Sequence, residues 1–319
     1  MNSSFQGKNV LVTGANGFIG SHLARRLLRE GARVHVLVRE NSNARRIQDI
    51  AWEISFWYGD ISDYTSIVEC IKTVQPKIIF HLAANRNTKR DIGLLDAMID
   101  TNIRGTLNLV RAVVELNAPL ECFINTGSSE EYGDGYTPFS EEQREMPVSP
   151  YSASKVASTY FCQMLHKSMG LPILTLRPFL TYGPDQDSDM FIPSLIRHCL
   201  EKRNFPMTEG NQTREFNYID DIVDAFLLAA TNVNAIGEIM NIGNGVEYSI
   251  REVAEKIVKI MGNPINLLVG ALPKRAGEAN HFYCNHQKAT DLLGLCSKTD
   301  LDDGLQKTIR WYGDCFQKN

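Results

Sequence analysis

The chain lacks the features of a disulfide-stabilised or metal-binding protein. Its cysteines number seven, an odd count, and no two of them form a CxxC pair. Its seven histidines are scattered, with neither an HExxH run nor any other paired spacing. We therefore expect buried, reduced thiols in a reducing compartment, and no metal site.

Long apolar runs and an excess of positive charge are also missing. No apolar run in the sequence approaches the roughly 20 residues that span a bilayer, so we expect no membrane partner. The formal net charge of -4 does not indicate a basic surface that would bind nucleic acid. The opening MNSSFQGKN has no apolar core of a secretory signal, which predicts a cytoplasmic location.

The first half of the chain alternates β-rich runs with amphipathic helical runs. Each β-rich run is almost continuously apolar, which is typical of a parallel strand covered on both faces. The predicted strands are KNVLVTG, RVHVLVR, EISFWYGD, KIIFHLAA, ECFINTG and PILTLRPF. This alternation predicts an α/β fold with a doubly wound parallel sheet of the Rossmann type.

The regular alternation stops after Pro178. Residues 181–216 are richer in Pro, Gly, Asp and Asn, and one further strand, EIMNIGN, is predicted after them. Helices are predicted at YIDDIVDAFLLAA, SIREVAEKIVKIMG and GLQKTIRWY. We predict a dinucleotide-binding domain of residues 1–180 and 217–244. A smaller, discontinuous substrate region would comprise residues 181–216 and 245–319.

A glycine-rich turn joins the first predicted strand to the first predicted helix. Gly14, Gly17 and Gly20 permit a tight turn and a close approach of the backbone to a pyrophosphate. The following helix would direct its N-terminal amides and its dipole at that charge. Glycines serve any tight turn, but the order strand, glycine turn, helix specifically favours a dinucleotide site.

The end of the second predicted strand bears on the choice of dinucleotide. An acidic residue there would bind the ribose of NAD, whereas an arginine can accept the additional phosphate of NADP. Arg39 comes first and Glu40 follows it, so the sequence favours NADP, with NAD as the alternative. In the other interpretation, Arg39 only stacks on the edge of the adenine.

A tyrosine and a lysine share one face of a predicted helix. Tyr151 and Lys155 are four residues apart, with Ser149 as N-cap and Pro150 at the first helical position. A phenol with an ordinary pKa of about 10 is a poor base at neutral pH. We expect the Lys155 ammonium to lower the pKa of Tyr151, so that the phenol exchanges a proton with a substrate hydroxyl during hydride transfer. The pattern YxxxK also occurs by chance. In that interpretation, Tyr151 is a packed aromatic residue and Lys155 is a solvent-exposed residue of the helix.

The TGxxGxxG spacing together with YxxxK resembles the short-chain dehydrogenase/reductase superfamily. This resemblance makes Ser128 the third catalytic residue, which binds the reacting oxygen. It implies Asp60 as the acid that contacts adenine. The cofactor-binding residues that we predict are Gly14, Asn16, Gly17, Phe18, Ile19, Gly20, Arg39, Asp60, Ile61, Leu82, Ala83, Ala84, Thr126, Tyr151, Lys155 and Pro178.

Further runs resemble the extended branch of the superfamily, which acts on nucleotide-diphosphate sugars. They are DTNIRGTLNLV, LRPFLTYGP, TREFNYIDDIVDAF and PKRAGEA. By position, Arg214 and Arg275 would bind the diphosphate or the nucleotide ribose. Leu180 departs from the pattern, because the branch has an asparagine there that contacts substrate phosphate. A homodimer through two long helices is implied by the same resemblance.

The run GSSEEYG, residues 127–133, bears on the reaction. It resembles both the Ser-Glu form of 4,6-dehydratases and the 4-keto-6-deoxyhexose reductases, with Ser129 beside the substrate and Glu130 in the place of the acid/base. Glu131 replaces the apolar residue of most dehydratases and, with the chain length, favours a 4-keto-6-deoxyhexose reductase. The alternatives are a 4,6-dehydratase, then a 4-epimerase or a glucuronate decarboxylase. A non-enzymatic NADP-binding redox sensor would not need Ser128, Tyr151 and Lys155 together.

Overall fold

The computed structural model describes residues 3–274 and 277–317. Strands alternate with helices through the first 180 residues, as the sequence predicts. The strands are β1 (Asn9–Thr13), β2 (Arg33–Val38), β3 (Ser55–Tyr58), β4 (Ile78–His81), β5 (Cys122–Thr126), β6 (Ile173–Pro178), β7 (Thr181–Tyr182), β8 (Phe205–Pro206), β9 (Thr213–Glu215), β10 (Asn217–Tyr218), β11 (Ile239–Ile242), β12 (Glu247–Ser249) and β13 (Leu267–Leu268).

The helices include every one that the sequence predicts. They are α1 (Phe18–Arg29), α2 (Tyr64–Val74), α3 (Leu95–Met98), α4 (Gly105–Glu115), α5 (Pro150–Met169), α6 (Phe191–Leu200), α7 (Ile219–Thr231), α8 (Ile250–Ile260), α9 (Gln287–Leu293) and α10 (Leu301–Gln317). A π-helical segment, Ile99–Arg104, joins α3 to α4, and a 3₁₀ turn, Ser129–Tyr132, follows β5. None of the helices in the described part of the chain is long and apolar enough to cross a membrane.

Seven parallel strands form the central sheet in the order β11-β6-β5-β4-β1-β2-β3. The first six strands by sequence follow the doubly wound order, and the predicted fold class is therefore confirmed. All six strand runs of the first half lie in this sheet, and EIMNIGN supplies β11 at its edge.

Apolar side chains cover both faces of the sheet. Along β1, Val10 and Val12 join one buried cluster and Leu11 joins the other, because neighbouring residues of a strand point to opposite faces. The strands are consequently apolar at nearly every position rather than at alternate ones.

Short strand pairs lie outside the central sheet. They are β7 with β10, β9 with β12, and β8 with β13. Residues 217–244 instead contribute to the layers of the central sheet. Helix α7 packs against α1, and β11 pairs with β6. The division of the chain into two regions with the boundaries given above stays a prediction.

Candidate active site

A cavity of about 610 Å³ opens at the carboxyl edge of the central sheet. This position, where strand order reverses between β1 and β4, is the usual ligand site of doubly wound sheets. We call it the first cavity. Its wall includes every predicted cofactor residue: Gly14, Asn16, Gly17, Phe18, Ile19, Gly20, Arg39, Asp60, Ile61, Leu82, Ala83, Ala84, Thr126, Tyr151, Lys155 and Pro178.

The glycine turn at the end of β1 is shaped for close backbone packing. Gly14 has φ +72°, and a Cβ added there would lie 2.7 Å from the backbone nitrogen of Ala83. A Cβ at Gly20 would overlap the carbonyl oxygen of Gly14. The turn is therefore packed backbone against backbone at both glycines, and helix α1 starts at Phe18 with its N-terminal residues on the wall of the cavity.

Two further features of the first cavity fit a dinucleotide. The Thr126 hydroxyl oxygen is buried on the cavity wall, and no partner for it occurs within residues 3–274 and 277–317. A bound polar ligand would satisfy this atom. At the other end of the cavity, Asp60 accepts from the backbone and hydroxyl of Ser62 at 2.8 and 2.7 Å. Burial disfavours the charged form of Asp60 and would raise its pKa. These hydrogen bonds and the Arg39 charge outweigh burial and hold the pKa of Asp60 below its ordinary value.

Helix α5 carries the tyrosine and lysine into the first cavity. Ser149 caps its N-terminus by accepting from the backbone of Ser152 at 3.1 Å, and Pro150 is its first residue, as predicted. Lys155 is fully buried one turn after Tyr151 and donates to the carbonyl oxygen of Thr126 at 2.8 Å. Burial lowers the pKa of Lys155 to about 8, against the opposing charge of Glu131.

The pKa of Tyr151 is not lowered, contrary to the expectation from sequence. Burial raises the pKa of this phenol to about 12, although a hydrogen bond with Ser128 opposes the shift. Burial of the phenol is the largest effect and outweighs the hydrogen bond, while the Lys155 ammonium is directed at the carbonyl oxygen of Thr126. Tyr151 is consequently held as the neutral, proton-bearing phenol.

Ser128 is the N-cap of the 3₁₀ turn that follows β5. The Ser128 hydroxyl accepts from the backbone of Glu130 at 3.1 Å, and the Glu131 carboxylate accepts from the backbone of Ser128 at 2.8 Å. This reciprocal capping box fixes the turn at both ends. Because the turn is so tight, it presents Ser128 to the first cavity and the next two residues, Ser129 and Glu130, to a neighbouring one.

This second cavity has a volume of about 470 Å³ and adjoins the first, since Pro178 and Phe179 line both. Its wall brings together the predicted residues Ser129, Glu130 and Arg214. Leu180, which stands in the place of the expected asparagine, also lines it. Three residues that the sequence did not predict, Arg90, Asp134 and Glu278, complete its charged groups.

Charge in the second cavity is arranged around Glu130. Burial raises the pKa of Glu130, while Arg214 and Arg90 act in the opposite direction. Arg214 donates to Glu278 at 3.1 Å and to the backbone oxygens of Thr213 and Ala279 at 2.7 and 3.0 Å. The cavity thus combines a carboxyl group of elevated pKa with guanidinium groups suited to an anion.

Some site residues could not be assigned from sequence, and one lies outside the described residues. Arg275 falls in the gap between residues 274 and 277, so its predicted contact with the substrate stays a prediction. Arg86 and Arg90 follow β4, and they line the first and second cavity respectively. The basic run NRNTKR directly after a predicted strand was the available signal, because ligands bind beyond the carboxyl ends of such strands.

Glu131 lines neither cavity. Its side chain is completely buried and forms an ion pair with the equally buried Arg177 of β6, at 2.7 Å. By resemblance alone Glu131 favours a reductase, but its side chain lies in the interior beside β5 and β6. Its effect on the reaction is therefore indirect.

Comparison with known proteins identifies the family. Residues 10–243 match the model of the NAD dependent epimerase/dehydratase family. A dTDP-glucose 4,6-dehydratase of Haemophilus influenzae is 28% identical, over 95% of this chain and 97% of that protein. A trifunctional protein of Arabidopsis thaliana is 28% identical over 97% of this chain. Its name gives three activities: UDP-glucose 4,6-dehydratase, 3,5-epimerase and reductase. The chain spans about half of that protein's length, 48%.

A solved structure agrees with these matches. The UDP-glucuronic acid 4-epimerase of Bacillus cereus, in complex with UDP-glucuronic acid and NAD, superposes with a TM-score of 0.84 at 30% identity. The match covers 96% of this chain and 99% of that one. The resemblance inferred from TGxxGxxG and YxxxK is confirmed. Because the family model matches more than half of this chain, the chain belongs to the NAD-dependent epimerase/dehydratase family.

Proposed function

We propose that the chain catalyses the 4,6-dehydration of a nucleotide-diphosphate hexose. The observation that carries the proposal is the 3₁₀ turn Ser129–Tyr132 with its N-cap, which presents Ser128 to the first cavity and the Glu130 carboxyl group to the second. Oxidation at C4 requires only Ser128, Tyr151 and Lys155. Glu130, with its raised pKa, adds an acid/base group where a sugar between the two cavities would extend its C5 and C6.

The residues of the first cavity would hold the dinucleotide. The glycine turn and the start of α1 suit its pyrophosphate, and Asp60 and Arg39 suit its adenosine end. When bound there, the dinucleotide would supply the acceptor, and later the donor, of the hydride that leaves C4. Tyr151 first loses its own proton to the solvent, and the Lys155 ammonium stabilises the phenolate that results. This phenolate takes the proton of the C4 hydroxyl, while Ser128 binds the same oxygen.

Dehydration follows from the acidity that a C4 ketone gives to C5. The Glu130 carboxylate takes the C5 proton, and the electron pair of that bond forms a C5–C6 double bond as the C6–oxygen bond breaks. The protonated Glu130 gives its proton to the departing C6 hydroxyl, which leaves as water. Glu130 then takes a new proton from the solvent and gives it to C5 when hydride reaches C6.

NAD fits this proposal better than the NADP that Arg39 favours. The matching family is NAD dependent, and the related epimerase structure holds NAD. Support for an NADP preference comes only from Arg39. In the structure, the positive charge of Arg39 helps to lower the pKa of Asp60. We therefore take NAD as the cofactor, and Arg39 as the residue whose replacement tests the choice.

A 4-keto-6-deoxyhexose reductase, favoured by the sequence, is the second candidate. The observation in its favour is that Ser129, not a second carboxylate, stands beside Glu130 on the wall of the second cavity. A reductase would use Ser128, Tyr151 and Lys155 in the reverse direction and would need Glu130 only as a hydrogen-bonding group. Both candidates share the substrate class, a nucleotide-diphosphate sugar.

Mass spectrometry distinguishes the candidates. UDP-, dTDP-, GDP- and CDP-hexoses, their 4-keto-6-deoxy forms and UDP-glucuronate are incubated with NAD or with reduced dinucleotide. We expect loss of one water from a hexose. A gain of two hydrogens by a 4-keto form identifies a reductase, loss of carbon dioxide from a uronate identifies a decarboxylase, and an unchanged mass with a new isomer identifies an epimerase.

The predicted homodimer rests on an exposed apolar face. Tyr160, Phe161 and Met164 of α5 are all at least partly exposed, and so are Leu95 and Ile99 at the start of the neighbouring helix. We infer that a second copy of this chain covers these side chains, as the resemblance implies. A light-scattering mass equal to that of one chain would contradict this. The cytoplasmic location stays a prediction.

A further inference from the structure

Glu131 is a buried carboxylate that the proposed chemistry does not use directly. It lies on the same turn as Ser128 and Glu130, yet none of its side chain is exposed. Holding an ionised carboxylate away from water is costly unless it is paired and hydrogen-bonded. Both of its oxygens are occupied, and their partners lie on three different elements.

The first oxygen connects the catalytic serine to the catalytic helix. Glu131 Oε1 accepts from the backbone nitrogen of Ser128 at 2.8 Å and from the Thr159 hydroxyl at 3.2 Å. Thr159 follows Lys155 by one helical turn, as Lys155 follows Tyr151, so all three residues share one face of α5. A single oxygen atom therefore joins Ser128 to the face that presents the tyrosine and lysine.

The second oxygen receives a buried guanidinium. Glu131 Oε2 accepts from Nε and Nη2 of Arg177 at 2.9 and 2.7 Å. Arg177 also donates to Glu145 at 2.6 Å and to the Tyr132 hydroxyl at 2.9 Å. The planar guanidinium with its fixed donors defines the orientation of the carboxylate, which a flexible partner would not do.

A buried ion pair of this kind adds little stability relative to a well-packed apolar pair. Its distinctive effect is to fix groups in one arrangement. Here the groups are the start of the catalytic turn, the catalytic face of α5 and the end of β6.

We propose that Glu131 is a positioning residue, which holds Ser128 against Tyr151 and Lys155 and uses Arg177 as its buried counter-charge. The proposal rests on the proposed function, because it assigns Ser128, Tyr151 and Lys155 to the reaction. Glu131 itself touches neither cavity and acts through Ser128. Its negative charge also opposes the effect of burial on the Lys155 ammonium.

The chain offers a matched control in Glu145, which pairs with the same guanidinium but has no contact with Ser128. Glu131→Gln keeps only one acceptor oxygen for donors on two sides, so either Ser128 or Arg177 loses its partner. Because a misplacement of about 1 Å can cost about 100-fold in rate, we expect kcat to fall about 10- to 100-fold with KM little changed. Glu145→Gln should leave kcat and KM close to wild type. Equal losses in the two variants would show that only the pairing of Arg177 matters, and would overturn the proposal.

A double-mutant cycle tests whether Glu131 acts through Ser128. In a Ser128→Ala background, Glu131→Gln should cause no further fall in kcat. A second fall as large as in the wild-type background would overturn the proposal. If Glu131→Gln does not fold, Thr159→Val serves in its place, since it removes only the contact with α5; an unchanged kcat in that variant counts against Glu131 as the connection.

Crystal structures of Glu131→Gln and Glu145→Gln separate this inference from the proposed function. We expect Ser128 to move away from Tyr151 in the first variant and to stay in place in the second. A Ser128 that keeps its place in both overturns the inference, whatever the reaction is. A wild-type protein that converts no nucleotide sugar instead refutes the proposed function, and the two crystal structures still decide whether Glu131 holds Ser128.

Discussion

Replacing Lys155 by methionine should stabilise the protein at neutral pH. The Lys155 side chain is buried, and burial lowers its pKa from 10.5 to about 8. This difference corresponds to about 3 kcal/mol spent on keeping the ammonium charged in the folded state at pH 7. Methionine has a similar length and no charge, so Lys155→Met removes this cost.

The loss of one hydrogen bond partly offsets the gain. Lys155 donates to the carbonyl oxygen of Thr126 at 2.8 Å, and a bond from a charged donor contributes about 1.5–3 kcal/mol. The net gain at pH 7 is therefore smaller than 3 kcal/mol, and its dependence on pH is the sharper signature. The unfolded chain keeps the lysine proton up to about pH 10.5 and the folded chain up to about pH 8. Between these values the unfolded state holds more protons, so the free energy of unfolding of the wild type rises with pH.

The assay is urea unfolding of both proteins at several pH values, without dinucleotide, because ligand binding would add its own stabilisation. Between pH 7 and 9.5, the wild type should gain about 2 kcal/mol relative to Lys155→Met. All other titrating groups are shared and cancel in the difference. Parallel pH profiles for the two proteins would refute the conclusion that Lys155 carries a buried charge.

Three further predictions concern the first cavity. Tyr151→Phe should abolish hydride transfer, followed by nicotinamide absorbance, while the dinucleotide still binds; an active variant would remove Tyr151 from the mechanism. Gly20→Ala should weaken dinucleotide binding in calorimetry by at least about 10-fold, or about 1.4 kcal/mol, because its Cβ overlaps the Gly14 carbonyl. Gly313→Ala is its control, since a Cβ there meets no neighbouring atom, and equal losses in both would contradict the packing argument. Arg39→Ala should lower the affinity for NADP relative to NAD, and an unchanged ratio of affinities would exclude a phosphate contact by Arg39.

The fold could be predicted because its signals are local. Runs such as KNVLVTG and KIIFHLAA are apolar throughout, and only a strand buried on both faces needs that pattern. The glycine turn and the Tyr151–Lys155 pair also depend on residues close in sequence, so their spacing placed them on the wall of one cavity.

What the sequence could not provide depends on contacts between distant segments. Glu131 and Arg177 are 46 residues apart, and they meet only because β5 and β6 are neighbours in the sheet. No local pattern marks such a pair, which is why Glu131 had no physical explanation from sequence. The pKa of Tyr151 was misjudged for a related reason: burial, which raises it, depends on the whole tertiary structure.

The most direct test of the proposed dehydration is the reaction in deuterated water. With wild-type protein, we expect a 4-keto-6-deoxy product that has lost one water and carries one deuterium at C5. Glu130 loses its first proton with the departing water, so the group that it later transfers to C5 is a deuteron taken from the solvent. Glu130→Gln should retain oxidation at C4 and lose no water. A wild-type product without deuterium at C5, or dehydration that persists in Glu130→Gln, would contradict the role given to Glu130.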